Sequence, residues 1–346
     1  MEDSPRLIRT PFETPPALGE MTELAPGVHW IRLPLPMALD HVNVYALDDG
    51  EGWTLIDSGI GSKKSRAIFE ALLTGPLAGK PVTRVIVTHH HPDHIGLAGW
   101  FQTDHGAELW TTRTAWLMAR MLSLDVEDRP SDRAVDFWKS AGVPPDILAE
   151  RQTQRPFNFA DAIAPLPVGY RRIAQGDRID IGGRIWRVEI GHGHAPEHAT
   201  LWSESDALVL GGDQLLPSIS PNLGVYPTEP EADPVADWLA SCTRFQSLAT
   251  GDSFVLPGHK LPFLGLPTRL EQMIENHVSA LDRLEEALAT PATAVESFVP
   301  VFKREIRGEQ FGLAMVEAIA HCQHLYLAGR ATRHRRADGA WVYARA

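Results

Sequence analysis

The segment Val87-Thr88-His89-His90-His91-Pro92-Asp93-His94-Ile95-Gly96 sets His89, His91, Asp93 and His94 in the spacing H-x-H-x-D-H. Imidazoles and carboxylates at this density suit a divalent ion of the zinc type, which takes N, O and S donors in small four- or five-coordinate sets. Packing gives no reason to gather them, because an unpartnered charge is costly to bury. Three later pieces are of the same kind: Gly193-His194-Ala195-Pro196-Glu197-His198, Gly211-Gly212-Asp213 and Leu256-Pro257-Gly258-His259. Each comes directly after a short apolar run. A strand end holds backbone rigidly while the turn beyond it lets side chains converge, which a compact metal site requires.

The elements that must position these groups can be read from the surrounding pattern. Val28 to Leu33, Val42 to Leu47 and Trp53 to Ile56 read as consecutive short strands punctuated by Pro, Asp and Gly. Lys64 to Leu73 places Ala67, Ile68, Ala71 and Leu72 at helical spacing and stops at Gly75-Pro76. Val85 to Val87 is a strand that feeds into the histidine-rich turn. Thr111 to Leu122 reads as a helix, and Asp125 to Pro167 as a proline-broken stretch with a helical piece at Ala134 to Ala141, an insertion placed to lie over a site. In Ile185 to Ile190, Trp186, Val188 and Ile190 alternate with Arg187 and Glu189, the period of a half-buried strand. Leu208 to Leu210 and Phe254 to Leu256 are short buried strands. Beyond Pro267, Leu270, Met273, Ile274, Val278, Leu281, Leu284 and Leu288 form one apolar helical stripe. Gly312 to Ala328 is a second helical run, and Ala331 to Arg335 with Trp341 to Tyr343 flank an Asp338-Gly339 turn. Helix, helix and basic hairpin is the order of a small winged-helix module.

In this order, H-x-H-x-D-H, G-H-x-x-x-H, a Gly-Asp after a buried strand and a late Pro-Gly-His resemble the metallo-β-lactamase superfamily, with a glyoxalase II-like metal site. Leu55-Ile56-Asp57-Ser58-Gly59 matches the early D-x-G turn of that superfamily. The resemblance covers about residues 24 to 265 and implies an α+β fold, a four-layer αβ/βα sandwich. On this reading 1–23 is an N-terminal arm, 24–265 the main domain with a helical insertion at about 111–167, and 266–346 a helical, winged-helix-like appendage. It further implies two divalent metal ions, zinc foremost, with iron and manganese as alternatives. His89, His91 and His194 would hold one ion, Asp93, His94 and His259 the other, with Asp213 as the bridge. Asp57 would stand behind the ligands, accepting the hydrogen bonds that fix their loops. Gly191-His192 and Gly193-His194 both match the Gly-His element; His194 is preferred because only it has a histidine four residues later with a proline between. His192 and His198 are then expected beside the ligands or in the pocket, and His90 as a solvated or orienting neighbour.

Two ions that share a hydroxide lower the pKa of bound water from about 15.7 toward ~7 and polarise the oxygen under attack. The resemblance therefore implies a metal-dependent hydrolase of a small acyl substrate, a thioester, ester or lactone. Asp93 would orient the hydroxide, and His192, His198 or metal-bound water would protonate the leaving group. Tyr226, in the loop Gln214 to Pro227 that follows Asp213, is expected to face the substrate. Trp116, Met118, Met121 and Phe137-Trp138 would form an opposite wall. True β-lactam hydrolysis is disfavoured, since the best-known zinc β-lactamases carry Cys where this chain has Asp213. Glyoxalase II activity in the strict sense is disfavoured too, because the C-terminal region lacks a basic glutathione-binding pattern.

Lys+Arg 32 against Asp+Glu 44 gives a net charge of −12, which argues against broad binding to nucleic acid or anionic membrane. Arg330, Arg333, Arg335 and Arg336 still form a local basic cluster. An RNA nuclease that joins this domain to a winged helix is accordingly the second reading. Iron-dependent sulfur or oxygen chemistry and a non-catalytic module with an assembly-forming tail, for instance a homodimer, rank lower. Two cysteines, Cys242 and Cys322, cannot build a disulfide framework, so a cytoplasmic protein is expected. No apolar run reaches membrane-span length. Of the 15 histidines, those that fall outside the motifs include His277, His321 and His324, and His277 on its apolar stripe reads as a packing residue.

Overall fold

The computed structural model of the protein describes residues 7–346; the first six positions of the N-terminal arm lie outside the described residues. The chain forms two compact units. The first collects the chain up to Val126 with Asn158–Pro221 and Gln246–Arg269; the second collects Glu127–Phe157, Asn222–Phe245 and Leu270–Ala346.

In the first unit, β1 (Met21–Ala25), β2 (Val28–Pro34), β3 (His41–Asp48), β4 (Trp53–Ile56), β5 (Val82–Ile86), β6 (Glu108–Thr111) and β7 (Arg171–Arg172) make one seven-stranded sheet in sequence order. Pairing is antiparallel from β1 to β4 and parallel from β4 to β7. Helix α1 (Lys63–Thr74) connects β4 to β5, α2 (Pro92–Ile95) and α3 (Ala98–Asp104) connect β5 to β6, and α4 (Arg113–Leu124) follows β6. The second sheet, β8 (Arg178–Ile181), β9 (Arg184–Gly191), β10 (His198–Ser203), β11 (Leu208–Gly212) and β12 (Phe254–Pro257), is antiparallel except for the parallel pair β11 and β12.

Strand β3 shows why the sheets stack. Val42, Val44 and Ala46 point to one side, where they meet Phe69 and Leu72 of α1 and Trp100 and Phe101 of α3. Tyr45 and Leu47 point to the other, where they meet Trp186, Val188 and Ile190 of β9 and Leu201 of β10. A strand buried on both faces reads as a nearly continuous apolar run. Each large apolar side chain so enclosed contributes roughly 1.5–3 kcal/mol. Helix starts are fixed by caps: the Ser62 hydroxyl accepts from Ser65 N at 3.0 Å for α1, and that of Thr112 from Ala115 N at 3.2 Å for α4.

The second unit holds α5 (Asp132–Ser140), α6 (Pro145–Thr153), most of α7 (Pro234–Gln246), α8 (Leu266–Ala287) from Leu270 onward, α9 (Phe298–Phe302), α10 (Phe311–Leu327) and the antiparallel hairpin β13 (Ala331–Arg335) and β14 (Trp341–Arg345). It takes in 127–157 and 222–245 as well as most of the region 266–346 read from sequence. Strands β1, β6, β7 and β10 escape the sequence reading. β1 starts at Met21 inside the expected arm, and β7 is two residues long, too short to carry a period. No helix among the described residues is long and apolar enough to cross a membrane.

Candidate metal centre

Every motif read from the sequence lies at the C-terminal end of a strand of the first unit. β4 and β5 run parallel with Ile56 opposite Ile86, so Asp57 and Thr88 emerge side by side. β11 and β12 run parallel with Gly212 opposite Pro257, which delivers Asp213 beside His259. Pro92 opens α2, whose single turn presents Asp93 and His94. The loop from β9 to β10 carries His192 and His194, with Gly193 at φ 104°, a value open to glycine at little cost.

Three groups of donor atoms result. One ligand atom each from His89, His91 and His194 lie within 4.8 Å of one another, as do those of Asp93, His94 and His259, and those of His89, His94 and Asp213. Nε2 of His89 is 3.0 Å from Nδ1 of His91. Asp213 reaches toward both sides: its Oδ1 is 3.4 Å from His94 Nε2, and its Oδ2 is 3.2 Å from His259 Nε2 and 3.5 Å from His194 Nε2. Asp93 Oδ2 stands 3.4 Å from His259 Nε2 and 3.6 Å from His94 Nε2. Nε2 of His94 and Oδ1 of Asp213 are buried without a hydrogen-bond partner. Folded interiors rarely leave such atoms unsatisfied, and a convergent set of N and O donors is what a divalent ion would satisfy. The residues present therefore fit the metals that the resemblance implies.

The rings are oriented from behind. Asp57 Oδ1 accepts from Thr88 N at 2.8 Å, and Oδ2 accepts from the Thr88 hydroxyl at 2.9 Å and from His94 Nδ1 at 2.7 Å. Since that hydroxyl spends its proton on Asp57, it accepts from His89 Nδ1 at 3.0 Å. His89 and His94 thus both keep Nε2 as the lone-pair nitrogen. His259 Nδ1 donates to the His41 carbonyl at 2.7 Å, which again leaves Nε2 for the site. A carboxylate or carbonyl behind the ring is the usual way to fix a ligand imidazole.

The electrostatics match that arrangement. Burial, helped by neighbouring imidazoles, holds His89 and His91 well below the ordinary histidine range, so both stay neutral. Burial alone would raise the Asp213 carboxyl, yet His259 and His94 hold it well below the usual carboxylate range. The carboxylates in turn raise both rings above the ordinary histidine range against their own burial, so that without an ion these two rings carry protons on the Nε2 atoms a metal would take. Asp93 is lowered in the same way, with burial opposing and His94 and His259 prevailing. Two ionised carboxylates at the bottom of a histidine-lined site attract cations.

Other expected residues fall differently. The His192 ring accepts from Glu197 N at 3.3 Å and is not in the three groups. His198 is fully buried, stacks on His89 with centroids 4.5 Å apart and accepts from Asp213 N at 3.1 Å. Burial brings its pKa down to about 3, so at neutral pH it is the neutral imidazole and not the imidazolium that would serve as an acid toward a leaving group. His90, expected as a solvated or orienting neighbour, is only 7% exposed, which removes the first alternative, and touches the His91 ring. Trp116 stacks on Tyr170 at 4.8 Å and packs against the core, which makes it a packing residue. Tyr226 is 44% exposed and, like Phe137 and Trp138, belongs to the second unit.

Sequence reasoning missed three contributors. His41 acts on His259 through its carbonyl, a role invisible in residue type. Its ring is held between the Lys260 N–H, 2.8 Å from Nε2, and Asp40, 2.6 Å from Nδ1. Gly258 is needed bare: a Cβ there would stand 2.3 Å from Asp213 Oδ1 and 2.8 Å from His94 Cε1. Glu197, at φ 53°, accepts from Thr114 N at 2.7 Å while its carbonyl accepts from the Thr112 hydroxyl at 2.9 Å. It ties the loop of His194 to the start of α4. The Pro-Gly-His signature hinted at the glycine; nothing local pointed to the other two.

Comparison with known proteins agrees with this geometry. The family model for the metallo-beta-lactamase superfamily matches residues 37–259, and the model for a metallo-beta-lactamase-like C-terminal domain matches residues 281–346. A probable metallo-hydrolase, YqjP, from Bacillus subtilis (strain 168) is 28% identical over 297 residues, 84% of this chain and 89% of that protein. The crystal structure of a beta-lactamase domain protein from Burkholderia ambifaria is similar with a TM-score of 0.90 and 38% identity over 98% of both chains. A metallo-beta-lactamase family protein from Thermus thermophilus matches with a TM-score of 0.78 and 26% identity, over 94% of this chain and all of that one. Matched over most of its length by motif, model and fold, the chain belongs to the metallo-beta-lactamase superfamily.

Proposed function

We propose that the protein is a hydrolase of small acyl substrates, a thioester, ester or lactone, that works with two divalent metal ions, zinc foremost. In this reading His89, His91 and His194 would hold one ion and Asp93, His94 and His259 the other, with Asp213 as a ligand that both could share. The observation that carries it is the placement of Asp213, whose two oxygens face His94 on one side and His259 and His194 on the other. Bound there, the ions would supply a water nucleophile at neutral pH and Lewis acidity toward the carbonyl oxygen.

The chain's own residues supply position. Asp57, Thr88 and the His41 carbonyl keep the Nε2 lone pairs aimed at the site, so no ring must reorient during turnover. Asp93, with a side chain 19% exposed against 8% for Asp213, is the carboxylate best placed to accept a hydrogen bond from the attacking water. With His198 buried and neutral, His192 remains the side chain proposed to pass a proton to the leaving group. Two buried thiols that form no disulfide accord with a cytoplasmic setting.

The deciding experiment is a panel of thioesters, lactones, simple esters, β-lactams and single-stranded RNA, offered to the zinc-loaded protein under identical conditions. Turnover of acyl substrates that is lost in Asp213→Ala and His259→Ala supports the reading. Turnover confined to RNA or β-lactams, or full activity in both variants, overturns it.

A further inference from the structure

A second cluster of ligand-type side chains lies wholly in the second unit. His277 on α8 and Glu317 and His321 on α10 each bring one ligand atom within 4.8 Å of the other two. Glu317 and His321 are four residues apart, so they share one face of their helix. His277 interrupts the apolar stripe formed by Leu270, Met273, Leu281 and Leu284, and it meets the edge of Trp238 with centroids 6.2 Å apart. Both histidines are 1% exposed.

The local bonds point the donors at one another. His321 Nδ1 donates to the Glu317 carbonyl at 2.8 Å, so its Nε2 is the lone-pair nitrogen. That Nε2 stands 3.2 Å from His277 Nδ1. Two imidazole nitrogens on one tetrahedral ion, each at roughly 2.0–2.1 Å, stand about 3.3 Å apart. The Glu317 carboxylate is held at the cluster by Asn222, whose Nδ2 donates to Oε2 at 2.8 Å. A proton on His277 Nδ1 would satisfy the contact between the two rings but would leave a carboxylate beside them with no part in the bond. An ion uses all three.

We propose that His277, Glu317 and His321 form a further metal site, for one zinc-type divalent ion, which clamps α8 to α10. Two imidazoles and one carboxylate are a donor set that suits zinc. The site shares no residue with the centre in the first unit, so the two stand or fall separately.

Metal-free protein titrated with Zn²⁺, with bound ion counted after gel filtration, tests this. Wild type should saturate at three ions per chain and Glu317→Gln, which keeps the shape of the side chain, at two. The double variant His89→Ala/Asp213→Ala should keep the ion held by His277 and lose it when Glu317→Gln is added. His277→Gln gives an independent check, and the same titration with Co²⁺ should lose one visible-absorption component in each variant of the cluster. Wild type saturating at two ions, with Glu317→Gln and His277→Gln unchanged from it, overturns the proposal; where one of these variants does not fold, the other decides. A wild-type count of one that vanishes in Glu317→Gln would uphold this site while removing the two-ion reading of the first unit.

Discussion

Asp57 Oδ2 accepts from His94 Nδ1 at 2.7 Å, while the opposite nitrogen of the same ring faces Asp213 Oδ1 at 3.4 Å. One carboxylate therefore decides which nitrogen of His94 carries the proton. Asp57 takes three donors in all, two from Thr88 and one from His94, and has only acceptors to offer them.

Asp57→Asn makes one of those three partners face an NH2 group. If His94 yields, its Nδ1 must accept and its proton moves to Nε2, the atom meant for the metal. Metal affinity is expected to fall roughly 10–100-fold with the fold intact. Chelator competition, with circular dichroism as the control for folding, measures this. Unchanged affinity would show that the tautomer of His94 is set by something other than Asp57.

Gly258→Ala addresses space instead of charge. Its Cβ would lie 2.3 Å from Asp213 Oδ1 and 2.8 Å from His94 Cε1, closer than non-bonded atoms approach. Both groups belong to buried, well-packed surroundings, so the added methyl should cost about 1–3 kcal/mol in stability and displace the Asp213 carboxylate. Loss of metal stoichiometry together with a lowered Tm is expected. Wild-type metal content in this variant would mean that Asp213 can move aside and is not required as a bridge.

Much of this centre was legible because its signals are local. His89, His91, Asp93 and His94 sit in one turn, and His194, Asp213 and His259 each follow an apolar run that ends at Gly or Pro, so side-chain type and strand end coincide. His41 left no such mark, because it serves His259 through a main-chain carbonyl supplied 218 residues away in the sequence. The second unit was only partly legible for a related reason. Its C-terminal helices and hairpin carry clear periods, but the joining of 127–157 and 222–245 to them depends on long-range contacts, such as Val295 N with the Ala141 carbonyl and Val225 N with that of Val316. His277 read as packing because a period shows only which face is buried, and its neighbour His321 belongs to a helix 44 residues on.

The cysteines give a pH-dependent prediction with a definite sign. Cys242 and Cys322 are both fully buried, and burial pushes the Cys322 thiol up to about 12 from an ordinary value of 9.0. Between those values the folded chain keeps a proton that the unfolded chain has lost. The stability this group contributes is complete below pH 9 and is lost as pH rises through 12. Native protein at pH 8 should resist alkylation at both thiols, and urea midpoints followed from pH 9 upward should fall more steeply in wild type than in Cys322→Ala. Rapid labelling of the native protein, or parallel pH profiles, would contradict the burial assigned to it.

The basic C-terminal cluster settles into a different expectation from the one its sequence suggests. Arg330 bonds Glu285 and Asp282, the latter at 2.8 Å; Arg333 meets Glu231 at 3.1 Å; Arg336 meets Asp338 at 2.9 Å. Arg335 donates to the Gly339 carbonyl at 2.6 Å and stacks on Trp341 with its guanidinium 4.3 Å from the ring centroid. Binding to phosphates would have to break or compete with these contacts, in a chain whose net charge is −12. Counterion release gives a slope of about −0.7 in log K against log salt for each phosphate neutralised on a single strand. Affinity for single-stranded RNA should therefore be weak, with a slope close to zero, and Arg333→Ala should leave it unchanged while lowering stability through loss of the pair with Glu231. A slope steeper than about −2 that flattens in Arg333→Ala or Arg335→Ala would instead make the hairpin a nucleic-acid surface and the nuclease reading the better one.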